Sequence, residues 1–596
     1  MKRWLLLIFL QSTYAFSEIA FKEYPTDDPN YKIEYSFLFP EGGRLIEMAT
    51  LPLVLKISNH SKKKATWYFE ANLETYTLRK RLSVEGLSSR TFTIEIPSFN
   101  RGIYHKIEIS GSGIKKSRTH SAGTKNGNGL IASFAAYQKL KSDPSGKNYG
   151  YHLISQKTIQ YFPDSWSSFT SLYRVLLTNN EFNTLRETQK YALKDWVLIG
   201  GILEIMVSSK GEKESLQNFF GLESPGKKND LPYVLGSVVL RQPFESPNHF
   251  YTYTVRKGDN LSMIARDNRI SLNSIYLNNP SLGGHVGHYI HRHYIHPGQK
   301  LNLPRASSSK LKAYHDRFHS ESLKELWGTV KEPKISLILA GLLLGSFFCF
   351  IGPFNFYVLA RKNRLRLLLY TPVIAFCASI VFFLTIIFYD GFGGEGMKKS
   401  FVWLSSKSNR CTITQNQIVK NRLMLRPSFK REGNYIINAY YKKPKSSRQP
   451  SQITDDGQWV SGDMFNSRSR RLITLKDIRA TQASLEFIDG DLPSIRSNFQ
   501  NVLKPIFIRT EDGRLFSVDQ CSPGQTVPLK ETSIKDLKDI KNESGRLFKA
   551  MRNHPLAFFV AEMSGDSEFD IVTNTTTDWV KHDLLIGGDL KKGKLQ

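Results

Sequence analysis

The residues whose types and spacing could support a specific chemistry lie between Tyr251 and Pro304. The run Tyr253-Thr254-Val255-Arg256-Lys257-Gly258-Asp259-Asn260-Leu261-Ser262-Met263-Ile264-Ala265 opens this stretch, and Ile295-His296-Pro297-Gly298-Gln299-Lys300-Leu301-Asn302-Leu303-Pro304 closes it. Tyr253 and Val255 form a strand. Gly258-Asp259 is a turn, and Asp259 or Asn260 caps a helix carrying Leu261, Ile264 and Ala265. Ser271 caps a second helix with Ile275 and Leu277, and Pro297-Gly298 turns into a strand with Leu301 and Leu303 inward. The pattern predicts a βααβ unit. Five of the fourteen histidines (His285, His288, His291, His293 and His296) fall near its end. Imidazoles bind zinc or copper and titrate near neutral pH. No carboxylate or thiol joins them and glycines separate them, so a solvated insertion is the expectation and no metal is assigned. The chain carries no HExxH, GxSxG or phosphate-loop pattern, so no catalytic constellation and no cofactor is assigned.

The 251–304 stretch resembles a LysM domain at nearly all of that family's signature positions. The resemblance implies binding of N-acetylglucosamine-containing glycans, peptidoglycan above all, in a shallow groove between two loops. The matching positions are Gly258, Asp259, Asn260 and Leu261 on one side, and Asn279, Pro280 and Ile295 on the other. Backbone amides and carbonyls would read the N-acetyl group, with apolar side chains beneath it. One departure is Ser281 to Tyr294, which is longer than the usual second loop.

The elements around this unit set its context. At 596 residues the chain is long enough for several domains, and its four cysteines exclude a disulfide-dense scaffold. Lys plus Arg is 82 against 53 Asp plus Glu, a net charge of +29. The charge is spread in short runs without zinc-finger spacing or RNA-binding aromatics, so no nucleic-acid partner is expected. Anionic polymers or lipid headgroups suit it better. Residues 1–15 read as a signal peptide: Met1-Lys2-Arg3, an apolar run Trp4 to Leu10, and a cut after Ala15. Ile335 to Ala360 and Leu367 to Phe388 read as two transmembrane helices, about 39 and 33 Å long at 1.5 Å per residue. The basic loop 361–366, with four positive charges, is then cytoplasmic by the positive-inside rule. This arrangement places the protein in a bacterial inner membrane, with large extracytoplasmic domains and the lipid bilayer as a partner. Cys411 and Cys521 are candidates for one disulfide in such a compartment.

The predicted fold class is multidomain. Residues 16–110 alternate with period two, as in Tyr31, Ile33, Tyr35 and Phe37, and read as a β-sandwich. Gly111 to Gly129 reads as a linker. Residues 130–245 read as α/β, with strands at Arg174 to Leu177 and Ile202 to Val207 and a helix at Leu185 to Leu198. Phe162-Pro163-Asp164-Ser165-Trp166 and Gln189 through Trp196-Val197 to Gly200-Gly201 make this part similar to the class I glutamine amidotransferase-like domain. Members of that family use a cysteine nucleophile, and this segment has no cysteine, so that chemistry is excluded. Asp164, Asp195 and Glu204 are acids without a partner base. Residues 305–334 form a linker with an amphipathic stretch at Leu323 and Leu326-Trp327. Residues 396–596 form a β-rich domain, with Ser533 to Lys541 helical. The order of parts resembles a loosely defined class of bacterial envelope membrane proteins. Three readings follow: a non-enzymatic glycan-binding envelope protein, which leads; a peptidoglycan-remodelling enzyme targeted by its LysM domain; and an assembly or signalling component with a membrane-protein partner.

Overall fold

The computed structural model describes residues 21–39, 41–42, 49–72, 76–98, 105–122, 126–127, 129–139, 152–222, 230–241, 250–256, 258–261, 263–264, 275, 279, 295–304, 310–329, 337–359, 366–422, 428–440, 453–462, 470–490, 492–532, 542–551, 557–565, 567–573 and 577–592. The expected signal peptide, most of the basic 361–366 loop and the 533–541 helix lie outside the described residues.

Alternation of apolar and polar residues builds the first layer. Strands Lys22–Tyr24, Tyr31–Phe37, Ala49–Asn59 and Ser88–Ser98 form a four-stranded antiparallel sheet. A seven-stranded sheet packs against it through Ile33, Tyr35, Leu53, Trp67, Phe69 and Ile107. Four of its strands are local: Ala65–Asn72, Tyr76–Val84, His105–Gly111 and Ile114–Ala122. The last of these lies in the stretch read as a linker. Gly111 and Gly113, at φ +126° and +72°, turn it back as a hairpin. Three further strands come from far along the chain: Ser428–Lys430, Ile453–Asp455 and Trp459–Gly462. Ile453–Asp455 runs parallel to Tyr76–Leu78.

Buried runs such as RVLLT and ILEIM suit a parallel sheet covered on both faces. They form strands Arg174–Thr178 and Ile202–Met206 of a six-stranded sheet, five strands parallel and Asp230–Tyr233 antiparallel at the edge. Helix Glu187–Leu198 covers one face with Trp196 and Val197. A fourth, nine-stranded sheet is assembled from residues 394–589, with Gly394–Ser405 parallel to Thr577–Asp589 at its centre. One face is continuous with the sandwich core through Val402, Ile413 and Ile506. Helices Lys310–Thr329 and Glu543–Met551 cover the other with Leu311, Tyr314, Phe318 and Phe548 on Phe401 and Trp403.

A buried charge network joins the distant strands to the local ones. The fully buried Asp455 accepts from Tyr76 Oη at 2.6 Å and from Arg431 Nη1 at 2.5 Å, and Arg431 Nη2 reaches the Tyr435 carbonyl at 2.5 Å. Burial, and secondarily Asp455, push the Tyr76 phenol well above its usual range.

The two-span expectation is corrected. Among the described residues no helix is long and apolar enough to cross a membrane. The first apolar stretch is not one α-helix. Leu337–Cys349 is α-helical for 13 residues, about 20 Å, and Phe350–Leu359 continues with π-type bonding around Pro353. The second stretch lies in helix Arg366–Asp390, which carries Pro372 near its start. The two-span inner-membrane location rested on those helices and falls with them. Cys411 and Cys521, proposed as a pair, are both buried and free, and burial pushes the Cys411 thiol up to about 12.

Candidate glycan-binding site

Strand Phe250–Thr254 pairs antiparallel with Lys300–Pro304, setting Tyr253 opposite Leu301 and Tyr251 opposite Leu303. Val255, Leu261, Ile264, Ile275, Leu301 and Leu303 bury a small core, with Tyr253 and Ile295 packed against it. This core shares no residue with the cores of the sheets.

Two turns rise from that core. In the first, Asp259 Oδ2 accepts from the Arg256 amide at 2.7 Å and from the Tyr253 hydroxyl at 2.8 Å. Those bonds, the amide first, hold the Asp259 carboxyl below its usual range. Asn260 Oδ1 accepts from the Met263 amide at 2.8 Å and caps the helix that follows. In the second turn, Gln299 Oε1 accepts from the His296 amide at 3.1 Å, and the Gln299 amide bonds the His296 carbonyl at 3.0 Å. Val255 ties the turns together: its carbonyl accepts from the Gly298 amide at 2.8 Å and its amide donates to the Gln299 carbonyl at 2.9 Å. Gly258 and Gly298 have φ of +92° and +85°, so glycine is needed at both. Among the described residues, a Cβ placed on either would meet nothing within 4 Å. Replacing Gly298 with alanine therefore strains the backbone. We expect a loss of about 1–2 kcal/mol in this unit, read by hydrogen exchange at the Val255 and Gln299 amides.

The structure divides the sequence-expected positions by role. Gly258, Asp259 and Asn260 lie on the first turn. Leu261 is buried, so its side chain supports that turn from within the core. Asn279 is also buried, and its Nδ2 donates to the Ile275 carbonyl at 2.8 Å. Ile295 is half-buried beside the second turn. Pro280, His285, His288, His291 and His293 lie outside the described residues. His296 is exposed, and among the described residues no group of His, Cys, Asp or Glu could hold a metal. Sequence reasoning missed the Tyr253 hydroxyl and the Gln299 side chain, which fasten the two turns. The signal for the first was a phenol six residues before a carboxylate, across a strand end and a glycine turn.

The acids of the α/β part are occupied in ion pairs. Asp164 Oδ2 meets Arg186 at 3.1 Å. Asp195 Oδ2 meets Arg410 of the nine-stranded sheet at 2.7 Å, while burial pushes its carboxyl up to about 6 against that cation's pull. Glu204, fully buried, lies between Arg174 and Arg241.

Comparison with known proteins bears on one of these parts. No curated protein matches the chain. Among solved structures, a yeast delta-COP-I mu-homology domain complexed with a Dsl1 WxWxV peptide is 7% identical, with a TM-score of 0.18, over 34% of this chain and 96% of that one. A Bacteroides uniformis beta-glucuronidase is 11% identical, with a TM-score of 0.17, over 94% of this chain and 61% of that one. Likeness at that level carries no argument. Residues 253–304 match the family model of the LysM domain, so the two turns lie in a LysM domain within a larger strand-rich chain.

Proposed function

We propose that this protein is a binding protein for peptidoglycan or a related N-acetylglucosamine polymer, and that it holds the sugar between the 256–260 and 295–299 turns without turning it over. The observation that carries the reading is the LysM match at 253–304, supported by the two glycine turns that Val255 ties together within it. The N-acetyl group is read by turn backbone, because amides and carbonyls at glycine turns can approach a ligand closely. A binding role also suits the α/β part, whose buried acids are engaged by arginines. The β-rich body then presents surfaces to other partners.

The test uses the Asp259 fastening. Asp259→Ala removes the acceptor that holds Tyr253 and Arg256 together, whereas Asp259→Asn keeps an oxygen there. In the full chain we expect Asp259→Ala to weaken binding of an N-acetylglucosamine hexamer about tenfold, equal to about 1.4 kcal/mol, and Asp259→Asn to retain most of it, by calorimetry. Equal affinity in all three proteins would contradict the placement of the sugar at this turn.

A further inference from the structure

The outer face of the seven-stranded sheet carries a second feature with the chemistry of a sugar site. Alternation along Ala65–Asn72 sends Trp67 and Phe69 into the sandwich and Tyr68 and Glu70 outward. Tyr68 stands opposite Arg81 on one neighbouring strand and Ser110 on the other, and Glu70 stands opposite Arg79 and Glu108. The parallel pairing of Leu78 with Asp455 brings Asp456 beside Arg79. These residues, with Gln458, line an open groove of about 690 Å³. Its wall at residues 456–458 comes from the distant strands, so the groove exists only because the two ends of the chain share this sheet.

Tyr68 is 55% exposed, although it lies on a strand with neighbours on both sides. Its ring is a floor and not a core residue. Arg79 Nε and Glu70 Oε2 meet at 2.8 Å beside it, a fixed donor fork next to an acceptor. The lining charges cancel: Arg79, Lys80 and Arg81 against Glu70, Glu108 and Asp456.

These features select the occupant. A nucleic acid needs a positive excess, which this groove lacks. A peptide strand adds at a sheet edge, but the backbone bonds of Ala65–Asn72 are already used on both sides. A compact apolar ligand needs an enclosed apolar pocket, and this groove is open and polar. A neutral pyranose chain fits all three conditions. It offers a flat C–H face to an aromatic ring, hydroxyls to paired donors and acceptors, and no net charge.

We propose that the outer face of the seven-stranded sheet is a second glycan-binding site, in which a sugar ring stacks on Tyr68 and its hydroxyls bond Glu70 and Arg79. The identity of the sugar rests on the reading of the LysM domain given above: both sites take the same N-acetylglucosamine polymer. Two grips on one strand then raise overall avidity without any new contact.

The experiment titrates the full chain with an N-acetylglucosamine hexamer and reads stoichiometry by calorimetry, for the wild type, Tyr68→Ala, Tyr68→Trp and Asp259→Ala. Tyr68 is on the solvent face, so its truncation leaves the sandwich core intact. The wild type should take two equivalents. Tyr68→Ala should lose one of them, its affinity falling about tenfold or more, and Tyr68→Trp should keep both. Asp259→Ala should weaken the other. A single equivalent that ignores Tyr68→Ala and responds to Asp259→Ala would overturn the sheet site and leave the LysM reading standing. A single equivalent lost in Tyr68→Ala and unmoved by Asp259→Ala would uphold the sheet site and overturn the LysM reading. Two equivalents that both survive Tyr68→Ala, or no binding at all, would overturn the proposal.

Discussion

Replacing Asp455 with alanine should destabilise the sandwich by about 3–5 kcal/mol, because it leaves a largely buried guanidinium without its counter-charge. Arg431 and Tyr76 both point their donors at this carboxylate, and the strand that carries it is inserted into a sheet made by residues far away in sequence. Loss of the acceptor therefore acts on the junction between the two ends of the chain. Asp455→Asn keeps an acceptor but loses the charge, so its cost should be smaller. The double change Asp455→Leu with Arg431→Met should recover much of the loss, since replacing a whole buried pair is often neutral. Hydrogen exchange of Tyr76–Val84 and Ile453–Asp455 reads the effect locally, which suits a multidomain chain whose global unfolding is not two-state. Unchanged protection in Asp455→Ala would show that the network does not hold the junction.

Acid should loosen the helix Lys310–Thr329 from the nine-stranded sheet. His315 is buried, with Nε2 at 2.9 Å from Thr414 Oγ1 and Nδ1 at 3.1 Å from Asp316 Oδ1. Burial lowers its pKa, with Asp316 opposing. His319, one turn on, is lowered to about 3, first by burial and then by Lys476 and His315. A folded pKa below the unfolded value means that the unfolded helix binds more protons in acid. Stability is therefore full above about pH 6.5, the ordinary histidine value, and falls as pH drops from there towards about 3. The slope contributed by His319 is about 1.4 kcal/mol per pH unit in this window. His319→Asn should flatten it, sparing about 2 kcal/mol between pH 6.5 and 5. Exchange of the 310–329 amides at the two pH values, with and without the substitution, measures this. An equal loss in both proteins would remove His319 as the cause.

Local structure was legible where one residue pattern had one structural outcome. The alternation at Tyr31, Ile33, Tyr35 and Phe37 lies in a strand, and Leu261, Ile264, Ile275, Leu301 and Leu303 form one core. What the sequence hid was long-range. Nothing in residues 453–455 names Tyr76–Leu78 as a neighbour, because strand pairing depends on burial and cross-strand contacts as much as on the residues themselves. Composition made Gly111–Gly129 look like a linker, but two glycines in a hairpin turn suffice to fold it back into the sheet. Apolar length suggested two spans, but length counts only along a continuous helix, and the first stretch changes its hydrogen bonding around Pro353. At the site, spacing located both turns. It could not separate Leu261 as a support from its neighbours on the turn, nor reveal side-chain fastenings such as Tyr253 to Asp259.

Co-sedimentation of the purified full chain with insoluble peptidoglycan, in the presence and absence of soluble N-acetylglucosamine hexamer, reads the binding role without intermediaries. The protein should pellet with the polymer, and the hexamer should return it to the supernatant. A protein that stays in the supernatant, or that pellets equally whether or not the hexamer is present, would contradict a sugar-holding role for the paired glycine turns.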